Sequence, residues 1–233
     1  AAAAATTLIT RKPTDVDYWW WRAEVRKKKD DLVGAVADLK QSISLSEIAD
    51  SNGVHVMMLG EIADDASVPC DGAMAFRLYR RQSDGDLNST AERLHDELEL
   101  AGDCSRVVGK GAGAITPMKG EAVLTARARV GSANGRVWVT KETPYVVIDR
   151  KLANRAGLDG DGPEVDLVIA GKIVRGNLTK ANQVVVGSSS AADVDVAVVD
   201  DGLPPRLDGV LGHSFLMRFA YEFAGDGVDL AVY

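Results

Sequence analysis

The chain has 233 residues, 46% hydrophobic and 26% charged, with a formal net charge of −7, the make-up of a globular protein of one large or two modest domains that excludes disorder and collagen-like repeats. The negative balance argues against a general nucleic-acid binder, because phosphate contacts need a basic face. No window reaches the run of about 18 apolar residues that a spanning helix requires, so no membrane span is expected.

The opening run Ala1-Ala2-Ala3-Ala4-Ala5 lacks the basic and apolar regions of a signal peptide and is set aside in reading the fold. From Thr14 to about Gly102 the apolar residues recur at helical spacing. Thr14 or Asp15 can cap a helix over residues 14–29, and Asp31 can cap a second over 32–45, with Leu32, Val33, Val36, Leu39 and Ile43 on one face. Small residues Gly34, Ala35 and Ala37 allow a neighbour to approach closely. A weaker second pair follows over residues 54–63 and 71–79, and Ser89-Thr90-Ala91-Glu92 reads as a capping box opening a last helix that ends at Gly102.

The aromatic stretch Tyr18-Trp19-Trp20-Trp21, the small residues in the middle of the second helix and the aliphatic ending Ile43-Ser44-Leu45 resemble a tetratricopeptide (TPR) repeat, a helical hairpin that stacks on the next one. Trp19, Trp20 and Trp21 fan through about 200° of a helix, more than one face can bury. Two are expected to pack between hairpins and one to stay half exposed, which makes the trio the candidate partner-binding residues. Arg26-Lys27-Lys28-Lys29 reads as a solvated face. Cys70 and Cys104 are too few for a disulfide framework and wrongly spaced for zinc. They form either one bridge or two buried thiols.

Near residue 106 the pattern changes. Residues 106–118, with Gly109-Lys110-Gly111-Ala112-Gly113, read as a glycine-rich linker, since no Gly-Lys-Ser/Thr opens a helix there and the glycine spacing is not that of a dinucleotide loop. The expected division is a helical domain over 14–105, the linker over 106–118, and a strand-rich domain over 119–233. Alternation predicts strands over 122–130 and 136–140 around an Asn134-Gly135 turn, then 145–148. A short helix over 150–156, capped by Asp149 and ended by Gly157, comes next. Further strands are expected over 165–170, 172–174, 182–186 and 194–199. Ser188-Ser189-Ser190 reads as a polar loop and Asp159-Gly160-Asp161-Gly162 as a tight acidic turn rather than a calcium loop. His55, His95 and His213 are scattered, and no metal or cofactor is expected.

Residues 130–219 resemble the bacterial retropepsin-like aspartic proteases. The match lies in the hairpin, the strand Tyr145-Val146-Val147-Ile148, the helix ending Ala156-Gly157-Leu158, and Asp208-Gly209-Val210-Leu211-Gly212 followed by Phe215-Leu216 and Phe219. The resemblance implies an α+β multidomain fold, with N-terminal TPR-like helical hairpins followed by a mostly-β retropepsin-like (acid protease) barrel, in which Val210, Leu211 and Gly212 thread a psi-shaped loop beside the catalytic aspartate. It also places the family's Asp-Thr-Gly-Ala-Thr loop on Thr140-Lys141-Glu142-Thr143-Pro144, and no Asp-Thr-Gly or Asp-Ser-Gly occurs anywhere in the chain. Two carboxylates sharing one proton carry this chemistry, and threonine cannot replace one. Glu142 beside Lys141 reads as a solvated loop pair.

The family's flap hairpin follows the Gly-Leu helix end, and the short run from Asp159 to Glu164 reads as its deletion. The expectation is therefore a pseudoprotease without peptidase activity, an interaction module that serves as accessory or assembly subunit to other protein subunits. The alternative is an aspartic-type peptidase with an atypical site. A homodimer through the retropepsin-like domain is left open. The resemblance favours a bacterial periplasmic or membrane-peripheral location over a cytoplasmic one.

Overall fold

The structure, a computed structural model, describes residues 2–46, 53–82, 87–118 and 123–233. It forms two compact units, one ending at Arg106 and one beginning at Val107.

The alanine run is part of the first unit. Alanine is the strongest helix former, and α1 (Ala2–Arg11) buries Ala5 and Ile9 as it packs on α2 (Val16–Lys27). Asp15 occupies the N-cap of α2. Asp31 caps α3 (Leu32–Leu45), its Oδ1 accepting the Gly34 N–H at 3.0 Å. α2 and α3 pack together as a hairpin around Trp19, Ala23, Ala35 and Leu39. A buried charge cluster crosses the same interface: Asp38 accepts from Arg22 Nε at 2.8 Å and Nη2 at 2.6 Å, and Arg26 Nη1 lies 2.9 Å from its Oδ2.

The next hairpin is α4 (Gly53–Ala63) with α5 (Pro69–Gln82), and α6 (Ser89–Gly102) packs on α5. These paired helices are consistent with the TPR-like expectation. Two details of α6 differ from it. The cap is Asn88 rather than Ser89, because the Asn88 Oδ1 reaches the N–H groups of both Thr90 and Ala91. The helix also runs through Gly102 and turns at Asp103, in the left-handed region at φ 47°. Gly102 is small because a Cβ there would meet the sulfurs of Cys70 and Cys104. Those cysteines are joined as a disulfide, with Cα atoms 5.3 Å apart.

The second unit is a mostly-β barrel. Seven strands run in the order β2 (Thr125–Val130), β3 (Ala133–Val139), β8 (Gly209–Leu211), β4 (Val146–Asp149), β7 (Ser189–Val199), β6 (Lys172–Val186) and β5 (Glu164–Ile169). β2 also pairs with β6, which closes the sheet on itself. Val137, Val147, Leu167, Val184, Val196 and Leu211 fill the interior. α7 (Arg150–Ala156) is capped by Asp149 and ends on Gly157 at φ 71°, as the sequence pattern indicates. α8 (His213–Leu216) follows β8.

Several expected elements change under tertiary pairing. The turn between β2 and β3 is Gly131-Ser132, and Asn134-Gly135 lies inside β3, in register with Arg129 and Ala128. Gly135 is there for close approach, since a Cβ would strike Leu152 and Asp208. The strands expected over 172–174 and 182–186 are one strand, β6, because β5, β7 and β2 together pair almost its whole length. Ser189 and Ser190 belong to β7. The strand expected over 122–130 is β2, which begins at Thr125; residues 121 and 122 lie outside the described residues.

Residues 107–115 do not behave as a free linker. Gly109 N–H donates to Arg218 O at 2.7 Å, Lys110 and Ser190 exchange backbone hydrogen bonds at 2.8 Å, and β1 (Gly113–Ile115) pairs with β10 (Gly227–Ala231). β10 pairs in turn with β9 (Ala220–Ala224). The glycines are needed where the chain is pressed against Phe219 and Ser188.

Candidate functional site

The loop 140–144, which the sequence resemblance aligns with the family's catalytic loop, leaves the end of β3 and enters β4. β8 lies between those two strands, parallel to β3 and antiparallel to β4. Val210 and Leu211 are wholly buried there. Gly212 then passes so close to the loop that a Cβ would run into the carbonyl oxygens of Thr143 and Tyr145. Val210, Leu211 and Gly212, the residues expected to thread a psi-shaped loop, thus lie directly against the 140–144 loop.

The loop is stapled along its length. Thr140 N–H donates to Leu211 O at 3.2 Å, His213 N–H to Thr143 O at 3.0 Å and Ser214 N–H to Pro144 O at 2.9 Å. Ser214 Oγ accepts from Val146 N–H and donates to Asp195 O, each at 2.7 Å. Thr140 is 7% exposed, and its Oγ1 accepts the Glu142 N–H at 3.2 Å, so the side chain closes a small turn within the loop. Thr143 is 1% exposed and its hydroxyl has no hydrogen-bond partner. Lys141 and Glu142 project to solvent.

Carboxylates in the surrounding strands hold structural positions. Asp149 caps α7 through Leu152 N–H at 2.6 Å, Asp208 accepts the Arg136 N–H at 2.8 Å, and Asp195 pairs with Lys180 at 3.2 Å. Among the described residues, no group of three or more His, Cys, Asp and Glu is arranged to hold a metal ion.

One expectation about this region is overturned. A hairpin does follow the Gly157-Leu158 helix end: β5 and β6 pair from Glu164↔Asn177 to Ile169↔Lys172 around the two-residue turn Ala170-Gly171. Both turn residues have positive φ, 50° and 73°, the geometry that matches the twist of paired strands. The run Asp159 to Glu164 is only the approach to this hairpin, so the flap's place in the chain is filled rather than deleted.

In the helical unit the three tryptophans have different roles. Trp19 is fully buried, donates to Pro13 O at 2.7 Å and lies under the Arg22 guanidinium at 4.8 Å. Trp21 is 45% exposed and packs on Tyr18 at 5.5 Å. Trp20 stacks on His55 at 5.8 Å, and its buried Nε1–H has no hydrogen-bond partner. Trp20 lines a groove of about 590 Å³ with Val54, Met57, Phe76, Tyr79 and Leu87, and the Lys27–Glu61 ion pair at 3.0 Å sits on its rim. The helical spacing of these residues marks them as apolar, yet the groove itself depends on how α2, α4, α5 and α6 assemble.

His55 is 4% exposed, and its Nδ1 lies 2.8 Å from Ser42 Oγ. Burial pushes its pKa below the ordinary 6.5, against the opposing pull of the Asp17 charge. A depressed histidine is protonated more readily in the unfolded chain. Its contribution to stability is therefore complete above pH 6.5 and is lost as pH falls through the lower folded value. Urea midpoints measured from pH 7.5 to 5 should decline across that window, and His55→Gln should flatten the decline.

The strand-rich unit is similar to retropepsin-like aspartic protease domains. An aspartyl protease family model matches residues 143–215. Among solved structures, a retropepsin-like aspartic protease from Rickettsia conorii is 17% identical with a TM-score of 0.40, the alignment covering 55% of this chain and 97% of that one. The retroviral protease-like domain of Ddi1 from Leishmania major is 11% identical with a TM-score of 0.27, covering 48% and 95%. No curated protein matches the chain.

Proposed function

We propose that the protein is a pseudoprotease, a non-catalytic retropepsin-like domain joined to a helical interaction module, serving as accessory or assembly subunit of a larger protein complex. The reading rests on Thr140, a buried hydroxyl engaged with the Glu142 N–H, at the position to which the sequence resemblance assigns the catalytic aspartate. The family match begins at Thr143, three residues further on. The acids of the β5–β6 hairpin, Glu164 and Asp166, lie 3.4 Å from the Arg175 guanidinium.

Trp20, which lines the groove, and its exposed neighbour Trp21 are the proposed docking residues, since tryptophan is enriched at interface hot spots. Trp19 serves the core instead. The Cys70–Cys104 disulfide favours an oxidising compartment such as a periplasm. A homodimer through the β domain is compatible with this reading.

The second reading, an aspartic-type peptidase with an atypical site, is favoured by the family match itself. Hydrolysis of a mixed peptide library from pH 3 to 7, with and without an aspartic-protease inhibitor, separates the two. The pseudoprotease predicts rates equal to a buffer blank at every pH. Inhibitor-sensitive turnover by pure protein would overturn it. The interaction role predicts that a stoichiometric partner captured by the full chain is lost with Trp20→Ala/Trp21→Ala.

A further inference from the structure

Two Asn-x-Thr triplets occur in the chain, Asn88-Ser89-Thr90 and Asn177-Leu178-Thr179. Each has the sequence form of an N-glycosylation acceptor, which takes the sugar at the asparagine amide nitrogen. The fold separates the two. Asn177 lies within β6, paired with Glu164 of β5 on one side and Val198 of β7 on the other. Its side chain is half-buried, and Nδ2 donates to Gly162 O at 3.1 Å. A sugar on that nitrogen has to break the hydrogen bond and force the chain at Gly162 aside.

Asn88, Ser89 and Thr90 are exposed at the start of α6. The Asn88 carboxamide is engaged at its oxygen end: Oδ1 accepts from the Thr90 N–H at 3.1 Å and the Ala91 N–H at 3.0 Å. Among the described residues, Nδ2 donates no hydrogen bond. Two donors on the oxygen draw the amide's electrons toward it, which makes the Nδ2–H more acidic, and they hold the side chain in one orientation. Because the helix is capped through Oδ1, substitution on Nδ2 leaves the cap in place. The Cys70–Cys104 disulfide meets a second condition, since disulfides persist in exported proteins and glycosylated asparagines belong to the surfaces of such proteins.

We propose that Asn88 is an N-glycosylation site and that Asn177 is not. In the transfer, Nδ2 forms a bond to C1 of an oligosaccharide carried on a lipid pyrophosphate. The bond from C1 to the pyrophosphate oxygen breaks, the lipid pyrophosphate leaves, and the amide proton passes to a base of the transferase. The exposed Thr90 hydroxyl is the group by which the triplet is recognised. The site is independent of whether the β domain cleaves peptides.

The test incubates the folded, oxidised full chain with a purified oligosaccharyltransferase and its lipid-pyrophosphate oligosaccharide. An unstructured acceptor peptide is present in the same reaction, and the products are mapped by mass spectrometry of proteolytic peptides. A glycan on the Asn88 peptide and none on the Asn177 peptide is expected. Thr90→Val keeps the shape of the side chain without its hydroxyl and should abolish the modification, whereas Thr90→Ser should retain it. Asn88→Asp retains a capping oxygen and should lose the modification while keeping the urea midpoint of the parent chain. An unmodified Asn88 beside a converted acceptor peptide, equal modification of Asn88 and Asn177, or transfer that survives Thr90→Val would overturn the assignment.

Discussion

Asp38→Asn is expected to destabilise the helical unit by about 3–5 kcal/mol, the range for breaking a buried ion pair by removing one partner. Asp38 is 1% exposed, Arg22 is 2% exposed, and Arg26 reaches the same carboxylate. Asparagine preserves the shape but cannot neutralise two guanidinium groups, so Arg22 would be left charged between α2 and α3. The Arg22 guanidinium also lies over the Trp19 ring at 4.8 Å, and its Nη1 is 3.5 Å from Thr6 Oγ1 on α1.

The measurement is urea unfolding of the full chain followed by tryptophan fluorescence, since three of the four tryptophans are Trp19, Trp20 and Trp21. Lys28→Ala is the comparison. Lys28 is 75% exposed and lies 3.9 Å from Glu24, and such surface pairs contribute at most about 1 kcal/mol. Equal midpoints for the two variants would show that the buried cluster carries no special share of stability.

Opening the disulfide is the second large effect, expected at about 3–4 kcal/mol for a bridge closing a loop of this length. Cys70 and Cys104 are 34 residues apart in sequence. The bridge ties the start of α5 to the turn after α6, so it constrains the part of the unfolded chain that includes both helices. Cys104 is fully buried, and Gly102 is accommodated only because it has no Cβ to meet the sulfurs. Cys70→Ser/Cys104→Ser should lower the urea midpoint of the helical unit. Dithiothreitol should do the same to the parent chain and nothing further to the double variant. A parent chain whose midpoint is indifferent to reductant would remove the disulfide from the account of its stability.

The helices and their caps were the most legible part of the fold. Asp31 and Asp149 act as caps because their short carboxylates reach N–H groups three residues on, a local interaction that sequence spacing fully specifies. The reading of Val210-Leu211-Gly212 as a psi-shaped segment rested on the family resemblance rather than on local pattern, and the structure shows these residues buried against the neighbouring loop. Glycine was the main source of error. Asn134-Gly135 and the 109–113 run carry turn and linker composition, yet both are used where another part of the chain comes too close for a Cβ. Those neighbours, Leu152, Asp208, Phe219 and Ser188, are remote in sequence. The supposed flap deletion failed for another reason: strands over 165–170 and 172–174 were expected, but only their antiparallel pairing around Ala170-Gly171 makes them a hairpin in that place.

Sequence alone determined the change from helix to strand near residue 106, the caps, and the absence of an Asp-Thr-Gly or Asp-Ser-Gly triplet, because each is set by composition or by contacts a few residues apart. Only the tertiary structure decided which tryptophan is core and which borders a groove, that the cysteines are bridged, that the 107–115 segment is built into the second unit, and that Asn177 is tied into a strand ladder while Asn88 is exposed. Each of these depends on strand register or helix packing between distant residues, and a side chain's surroundings there are set by the partner segment, which local pattern does not encode.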